Sequence, residues 1–472
     1  MSTGVSAAEP PAVFARRHFG NLDLGDERLE RRAIKLGEAV SAAPEQSLPR
    51  QCGDFHQAKA AYRFFNHPNV TAKSVSATHC GLTLEEARQQ PLVLFIQDTT
   101  PVSFAGSKPR DGAGVVGYGE GGPTGLLLHS TLALVPGRGG AALGLAHLEV
   151  WARPPVRRGE TREQRRKRAD RESLRWQEAI RAVGAPPQDA RWVHVADREA
   201  DVWETFCAVG DVGGDCVIRA RGAAASRKAV LGHGEQVPSR SDCQDLEHLA
   251  RSLPEAGACS VERHARPGIP RRILQLKVSF DAVTVLPPRL VPESAPQQLW
   301  IVRAWEEKGP AGEDPAEWLL LTTMPVRDVT DALKVVDWYR HRWAIEELHK
   351  CIKTGCRLEG RQLQSVDRLE PLTAMIAIVA LRLLNLKHIA KFTPDAPATD
   401  AVPMEHVQML SKLRNIPVEE LTCYRFWRET AKLGGFLGRN SDGEPGWQTL
   451  WLGWRDLDML VRGATVAGWT YG

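Results

Sequence analysis

The stretch Pro91-Leu-Val-Leu-Phe-Ile-Gln-Asp-Thr-Thr100 runs an apolar segment into an aspartate and two threonines. Its length and its β-branched and aromatic content read as a buried strand, with Asp98 at the strand's end. A second run repeats the pattern: Arg191-Trp-Val-His-Val-Ala196 leads into Asp197, followed by Arg-Glu-Ala-Asp201. An aspartate closing a buried strand is costly unless it caps a turn, is paired, or holds a metal. Two of them make a carboxylate cluster worth seeking. Hard oxygen donors of this type suit Mg²⁺ or Mn²⁺.

Working outward, Leu126 to Val135 and Leu143 to Trp151 read as further strands, and Arg171 to Val183 as a helix. Strands, helix and strand in this order indicate an α/β or α+β core. Near the C-terminal third comes Asp337-Trp-Tyr-Arg-His-Arg-Trp-Ala-Ile-Glu-Glu-Leu-His-Lys350. Read as one helix, it brings Tyr339, Arg342, Glu346 and Lys353 onto one face within roughly 60° of arc, with Lys350 on the same stripe. The bland reading of such a stripe is a solvated face of ion pairs. A carboxylate flanked by cations and a phenol also suits a phosphodiester beside a metal ion. His341 and His349, on the same run, read as structural.

Between Asp197 and Glu346 lie 148 residues, far more than one strand-to-helix step requires. Arg272 to Phe280, Leu299 to Ala304 and Trp318 to Thr323 have strand character, so a β-rich insertion at about 221–325 is expected. Cys216-Val-Ile-Arg-Ala-Arg221 leads into it, with Arg219 and Arg221 alternating onto one strand face. Residues 1–70 read as a small helical unit, with Asp26 capping a helix that reaches Ala39 and a second helix from Gln57 to Phe65. It carries Arg28, Arg31, Arg32, Lys35, Arg50, Lys59 and Arg63. Residues 371–472 read as helical. Trp447, Trp451 and Trp454 form one stripe there, suited to a buried core or an interface.

At 472 residues the chain exceeds one hydrophobic core. Its net charge of +4 is modest and by itself points to no partner. A local basic cluster, Arg157, Arg158, Arg162, Arg165, Arg166, Lys167 and Arg168, suits phosphate contact or a solvated loop. Nine cysteines without framework spacing indicate reduced thiols, and with no signal peptide evident a cytoplasmic setting is expected. Cys351 and Cys356 lack partners at zinc-finger spacing. Leu372 to Leu381 is about half the length that spans a bilayer, so no membrane partner is expected. Gly112-Ala-Gly-Val-Val-Gly117 matches a dinucleotide fingerprint, but the breakers that follow make it a loop.

The blocks Gln97-Asp-Thr-Thr100, Ala196-Asp-Arg-Glu-Ala-Asp201 and Tyr339 to Lys353, with Ala61-Tyr-Arg-Phe-Phe-Asn66 and Leu433-Gly-Gly-Phe-Leu437, resemble DDE cut-and-paste bacterial transposases. The similarity is strongest to the subgroup that carries a Tyr-Arg-Glu-Lys signature and cuts through DNA hairpins. The resemblance implies a ribonuclease-H-like catalytic core at 71–370 with the β insertion, a helical domain at 1–70 that binds the transposon end, and a helical dimerisation domain at 371–472. It implies that Asp98, Asp197 and Glu346 hold two Mg²⁺ ions, replaceable by Mn²⁺. It further implies that Tyr339, Arg342, Lys350, Lys353, Arg219, Arg221, Arg32 and Arg63 contact DNA. Trp318 would stack on a base flipped out as the hairpin forms. The implied partners are double-stranded transposon ends and target DNA, handled by a homodimer in a synaptic complex. The alternative is a catalytically inactive DNA-binding descendant of a transposase. A glycosidase with paired carboxylates leaves the cationic stripe unexplained.

Overall fold

The computed structural model describes residues 9–104, 110–117, 122–137, 141–155, 159–161, 163–164, 168–222, 227–234, 238–263, 272–289, 291–310, 312–439 and 442–468. Of the basic cluster read as suiting phosphate contact or a solvated loop, only Arg168 falls among these. Arg157, Arg158, Arg162, Arg165, Arg166 and Lys167 lie outside the described residues. The strands, in chain order, are β1 (Leu92–Ser103), β2 (Gly114–Val115), β3 (Thr124–Val135), β4 (Ala141–Trp151), β5 (Arg191–Ala196) and β6 (Asp215–Arg219). They continue with β7 (Lys228–Leu231), β8 (Gln244–Asp245), β9 (Gly257–Arg263), β10 (Arg272–Val285), β11 (Gln297–Trp305) and β12 (Glu317–Thr322). The chain divides into two compact units. One comprises 1–90, 99–158 and 344–472, and the other comprises 91–98 and 159–343.

In the first unit the N-terminal residues are helical. Asp26 caps the helix Glu27–Ala42 by accepting the Arg28 amide, and Asp54 caps Phe55–Phe65 by accepting the Gln57 amide. Thr71 and Ser74 cap Ala72–Ala87 reciprocally. The C-terminal residues are also helical, with the 27-residue helix Val366–Phe392 at their centre. Leu372 to Leu381 is buried within it, and among the described residues no helix is long and apolar enough to cross a membrane. Trp447, Trp451 and Trp454 are buried within the chain itself, and the Trp451 indole donates to Glu45 at 2.6 Å. The helices Cys423–Leu433 and Trp447–Val466 approach closely because Gly434 and Gly453 leave no side chain between them. The strands β3 and β4 pair antiparallel over most of their length.

The second unit holds a mixed sheet in the order β1-β5-β6-β12-β11-β10-β7-β8, with β9 paired to β10. The pairs β1–β5 and β5–β6 are parallel, whereas β6–β12, β12–β11 and β11–β10 are antiparallel. The inserted strands therefore extend the core sheet instead of forming a separate one. This helix-flanked mixed sheet, between helical N- and C-terminal parts, is an α/β ribonuclease-H-like architecture. Trp176, Trp203 and Phe206, from the helices Arg175–Val183 and Trp203–Val212, pack with Ile218, Ile301 and Leu321 of the sheet in one apolar cluster. That burial is what drives the sheet and its helices together.

Candidate active site

The parallel register of β1 and β5 ends with Gln97 opposite Ala196. Asp98 and Asp197 are the next residues on two strands spaced about 4.8 Å apart. Asp197 directly follows β5, as expected. Asp98 does not end β1, which continues to Ser103; only the pairing with β5 stops there. Gln97 and His194 secure the strand pair beneath the aspartates: the buried Gln97 amide Nε2 donates to His194 Nδ1 at 3.1 Å. Burial pushes His194 down to about 3, so the imidazole is neutral and can accept.

Asp197 begins the short 3₁₀ turn Arg198–Ala200 and accepts the Glu199 amide at 2.8 Å. Asp98 and Arg342 form an ion pair, with Nη1 at 3.9 Å from Oδ2 and both side chains largely sheltered. The Arg342 guanidinium also lies 6.0 Å from the Tyr339 ring centre. Tyr339 is buried and meets the half-buried Trp318 edge-to-face, with ring centroids 5.1 Å apart. The second unit thus gathers Asp98, Asp197, Arg342, Tyr339 and Trp318 by register and contact. Such an arrangement offers hard oxygen donors, a forked cation and an aromatic platform, the parts that phosphodiester chemistry uses.

A family model described as a transposase DDE domain matches residues 141–382, more than half of the 472 residues. The chain belongs to the DDE transposase family. A transposase DNA-binding model matches residues 11–70, and a model of the Tn5 transposase dimerisation domain matches 378–471. The transposase therefore has DNA-binding, DDE and dimerisation regions along one chain. Asp197 and Glu346 lie within the DDE match, and Asp98 precedes it. DDE domains generally use divalent metals. The paired aspartates fit this: two carboxylates just past the last paired residues of two adjacent strands form a hard-oxygen donor set. Among the described residues, no group of three or more His, Cys, Asp or Glu gathers as a metal site. Glu346, half-buried in the helix Trp343–Lys350, belongs to the first unit.

The single helical stripe expected from Tyr339 to Lys353 does not form. The helix Val329–Arg340 ends at the His341–Arg342 turn, and Trp343–Lys350 is a new helix that continues into a π-helical turn, Cys351–Gly355. The cause is local. The His341 Nδ1 donates to the Asp337 carbonyl at 2.8 Å, and the His341 and Arg342 amides turn back to Trp338 and Tyr339. The π turn then breaks the 3.6-residue period ahead of Lys353, which is half-buried, while Lys350 is exposed. His349 is structural: it is buried, and its Nε2 lies 3.3 Å from Ser130 Oγ.

Arg219 and Arg221 do not share a strand face, because β6 ends at Arg219. The Arg219 guanidinium donates to the Glu317 carbonyl at 2.8 Å, next to Trp318. The Glu317 carboxylate takes Arg251 and Arg303, which hold it below the usual carboxylate range. Arg221 instead donates to the carbonyls of Arg198 and Glu199. In the N-terminal helices, Arg63 is exposed, while Arg32 is tied to Gln57 at 2.5 Å. The reading of the sequence missed Arg227, which pairs with the buried Asp201 at 2.6 Å. Its only signal was Asp201 itself, four residues after Asp197 and too buried to stand without a cation.

Proposed function

We propose that this transposase is active, excising a mobile element through hairpin ends and inserting it into target DNA. The reading rests on one observation: Asp98 and Asp197 follow the last paired residues of two adjacent parallel strands, with Arg342 against Asp98. Asp98, Asp197 and Glu346 would hold two Mg²⁺ ions, with Mn²⁺ as a substitute. When bound, such ions neutralise phosphate charge and lower the pKa of an attacking water.

Arg342 can hold a phosphate through two parallel hydrogen bonds, which a lysine cannot reproduce. Tyr339, Lys353 and Lys350 would grip further phosphates near the strand end. Trp318, braced by Tyr339, would offer its free face to an extruded base. The chemistry served is hydrolysis at the element's end and attack of the freed 3′-hydroxyl on the opposite strand to close a hairpin. Water then reopens the hairpin, and the hydroxyl transfers to target DNA. Residues 11–70, with Arg32 and Arg63, would bind the transposon end, and residues 378–471 would pair two copies in the synaptic complex. The DNA in question is that of a bacterial nucleoid, in the cytoplasm.

The test is a cleavage assay with Mg²⁺ on duplex carrying the cognate end, beside a gel-shift assay. The wild-type chain is expected to nick and form hairpins. Asp98→Asn, Asp197→Asn and Glu346→Gln are each expected to lower cleavage by about 10²–10³-fold or more while still binding the end. A wild-type chain that binds the end and never cuts it would be the inactive DNA-binding descendant instead.

A further inference from the structure

We propose that Arg221, Asp201 and Arg227 form a clasp that fixes Asp197, and that Arg221 is a positioning residue and not a contact to DNA. The proposal rests on the role given to Asp197 above.

Asp197 stands where β5 gives way to a three-residue turn, which it grips through its carboxylate on the Glu199 amide and its carbonyl on the Ala200 amide. So short a turn has little internal hydrogen bonding to hold its direction. The Arg221 guanidinium bridges it from outside. Its Nε donates to the Arg198 carbonyl at 3.0 Å and its Nη2 to the Glu199 carbonyl at 3.2 Å. One planar fork on two successive carbonyls fixes both the height and the tilt of the turn.

Arg221 is itself held. Its amide donates to Asp201 Oδ2 at 2.8 Å, and Asp201 Oδ1 accepts Arg227 Nε at 2.7 Å. Asp201 is 5% exposed, so its charge is tolerable only with these partners. Arg227 lies over the Trp203 and Phe206 rings at 5.9 and 5.5 Å, rooted in the apolar cluster behind the sheet. The chain of contacts runs from core aromatics through Arg227, Asp201 and Arg221 to the backbone just after Asp197. A ligating carboxylate must be held within about 0.5 Å of its productive position. Removing the groups that hold such a ligand typically costs 10–100-fold in metal affinity or activity.

The experiment compares wild type with Arg221→Ala, Arg221→Lys and Asp201→Asn. Free Mn²⁺ is titrated by electron paramagnetic resonance, end DNA is titrated across a salt series, and cleavage is followed at saturating DNA. Arg221→Ala is expected to weaken Mn²⁺ binding about 10–100-fold and to slow cleavage while leaving end affinity and its salt slope unchanged. Arg221→Lys is expected to restore part of both losses, and Asp201→Asn to weaken Mn²⁺ binding in the same direction. Unchanged Mn²⁺ affinity, with a salt slope that falls by about one, would make Arg221 a phosphate contact and overturn the clasp. If Arg221→Ala does not fold, unchanged Mn²⁺ affinity in the other two variants overturns it equally. A wild-type chain that binds ends but takes up no Mn²⁺ would remove the functional reading and the clasp's purpose together.

Discussion

Trp318 and Tyr339 meet edge-to-face at 5.1 Å, so the indole is supported by a phenol ring from the helix that leads to Arg342. Trp318 is half-buried and Tyr339 is buried. One ring is thus a fixed backstop and the other keeps an accessible side.

Replacing Trp318 by alanine is expected to spare nicking and slow hairpin closure. A lost base–indole stack of ~1–3 kcal/mol corresponds to roughly 5- to 150-fold in rate. Denaturing gels over a time course separate the two steps. Equal loss of both would assign the indole to packing.

Arg342 stands against Asp98 here, and the proposed function has its guanidinium turn to a phosphate when DNA enters. Arg342→Ala is expected to reduce the salt slope of end binding by about one, and Arg342→Lys to recover charge without the paired hydrogen bonds. Binding isotherms at several salt concentrations decide it. An unaltered slope in Arg342→Ala would leave the guanidinium with no role in DNA contact.

Acid should unfold the first unit early. The Leu145 amide donates to His79 Nε2 at 3.0 Å, so His79 Nδ1 carries the proton that reaches His18 Nδ1, also at 3.0 Å. Burial lowers both imidazoles, His18 to about 3, helped by Arg17 and Arg382. A base depressed in the folded state takes up its proton only on unfolding. The stability it contributes is therefore complete above about pH 6.5 and falls as pH drops from there toward 3. At pH 5 the cost is ~2 kcal/mol for His18 alone. Melting curves between pH 7.5 and 4.5 should show this slope, and His18→Gln should flatten it. An unchanged slope in that variant would place the acid sensitivity elsewhere.

Gly453→Ala is expected to destabilise the C-terminal helices by about 1–3 kcal/mol or more. A β-carbon there would lie 1.8 Å from the Thr430 carbonyl oxygen, and backbone cannot yield as a side chain can. Thermal melts give the loss, and sedimentation shows whether dimerisation weakens with it. Wild-type stability would mean the two helices can part without cost.

The aspartates were legible because each follows an apolar run of unmistakable character, and Asp26 because a cap has a fixed offset from its helix. The break after Arg340 was not legible. It depends on the His341 ring turning back to the Asp337 carbonyl, a rotamer choice that no periodicity encodes. Arg221 was misplaced for a related reason. A strand's last residue is set by what pairs with it, here β12 ending its register at Arg219, and that partner lies about a hundred residues away in sequence. The paired aspartates could be read from the sequence, whereas the groups that aim them could not.

The antiparallel seam between β6 and β12 bears on any attempt to shorten this protein. Excising the segment between them as a cassette would strip β12 of its neighbour β11 and leave bare amides and carbonyls along an apolar margin. Such a margin recruits strands from other molecules. A trimmed chain would more readily precipitate than act as a minimal enzyme, which makes the graft inseparable from its host.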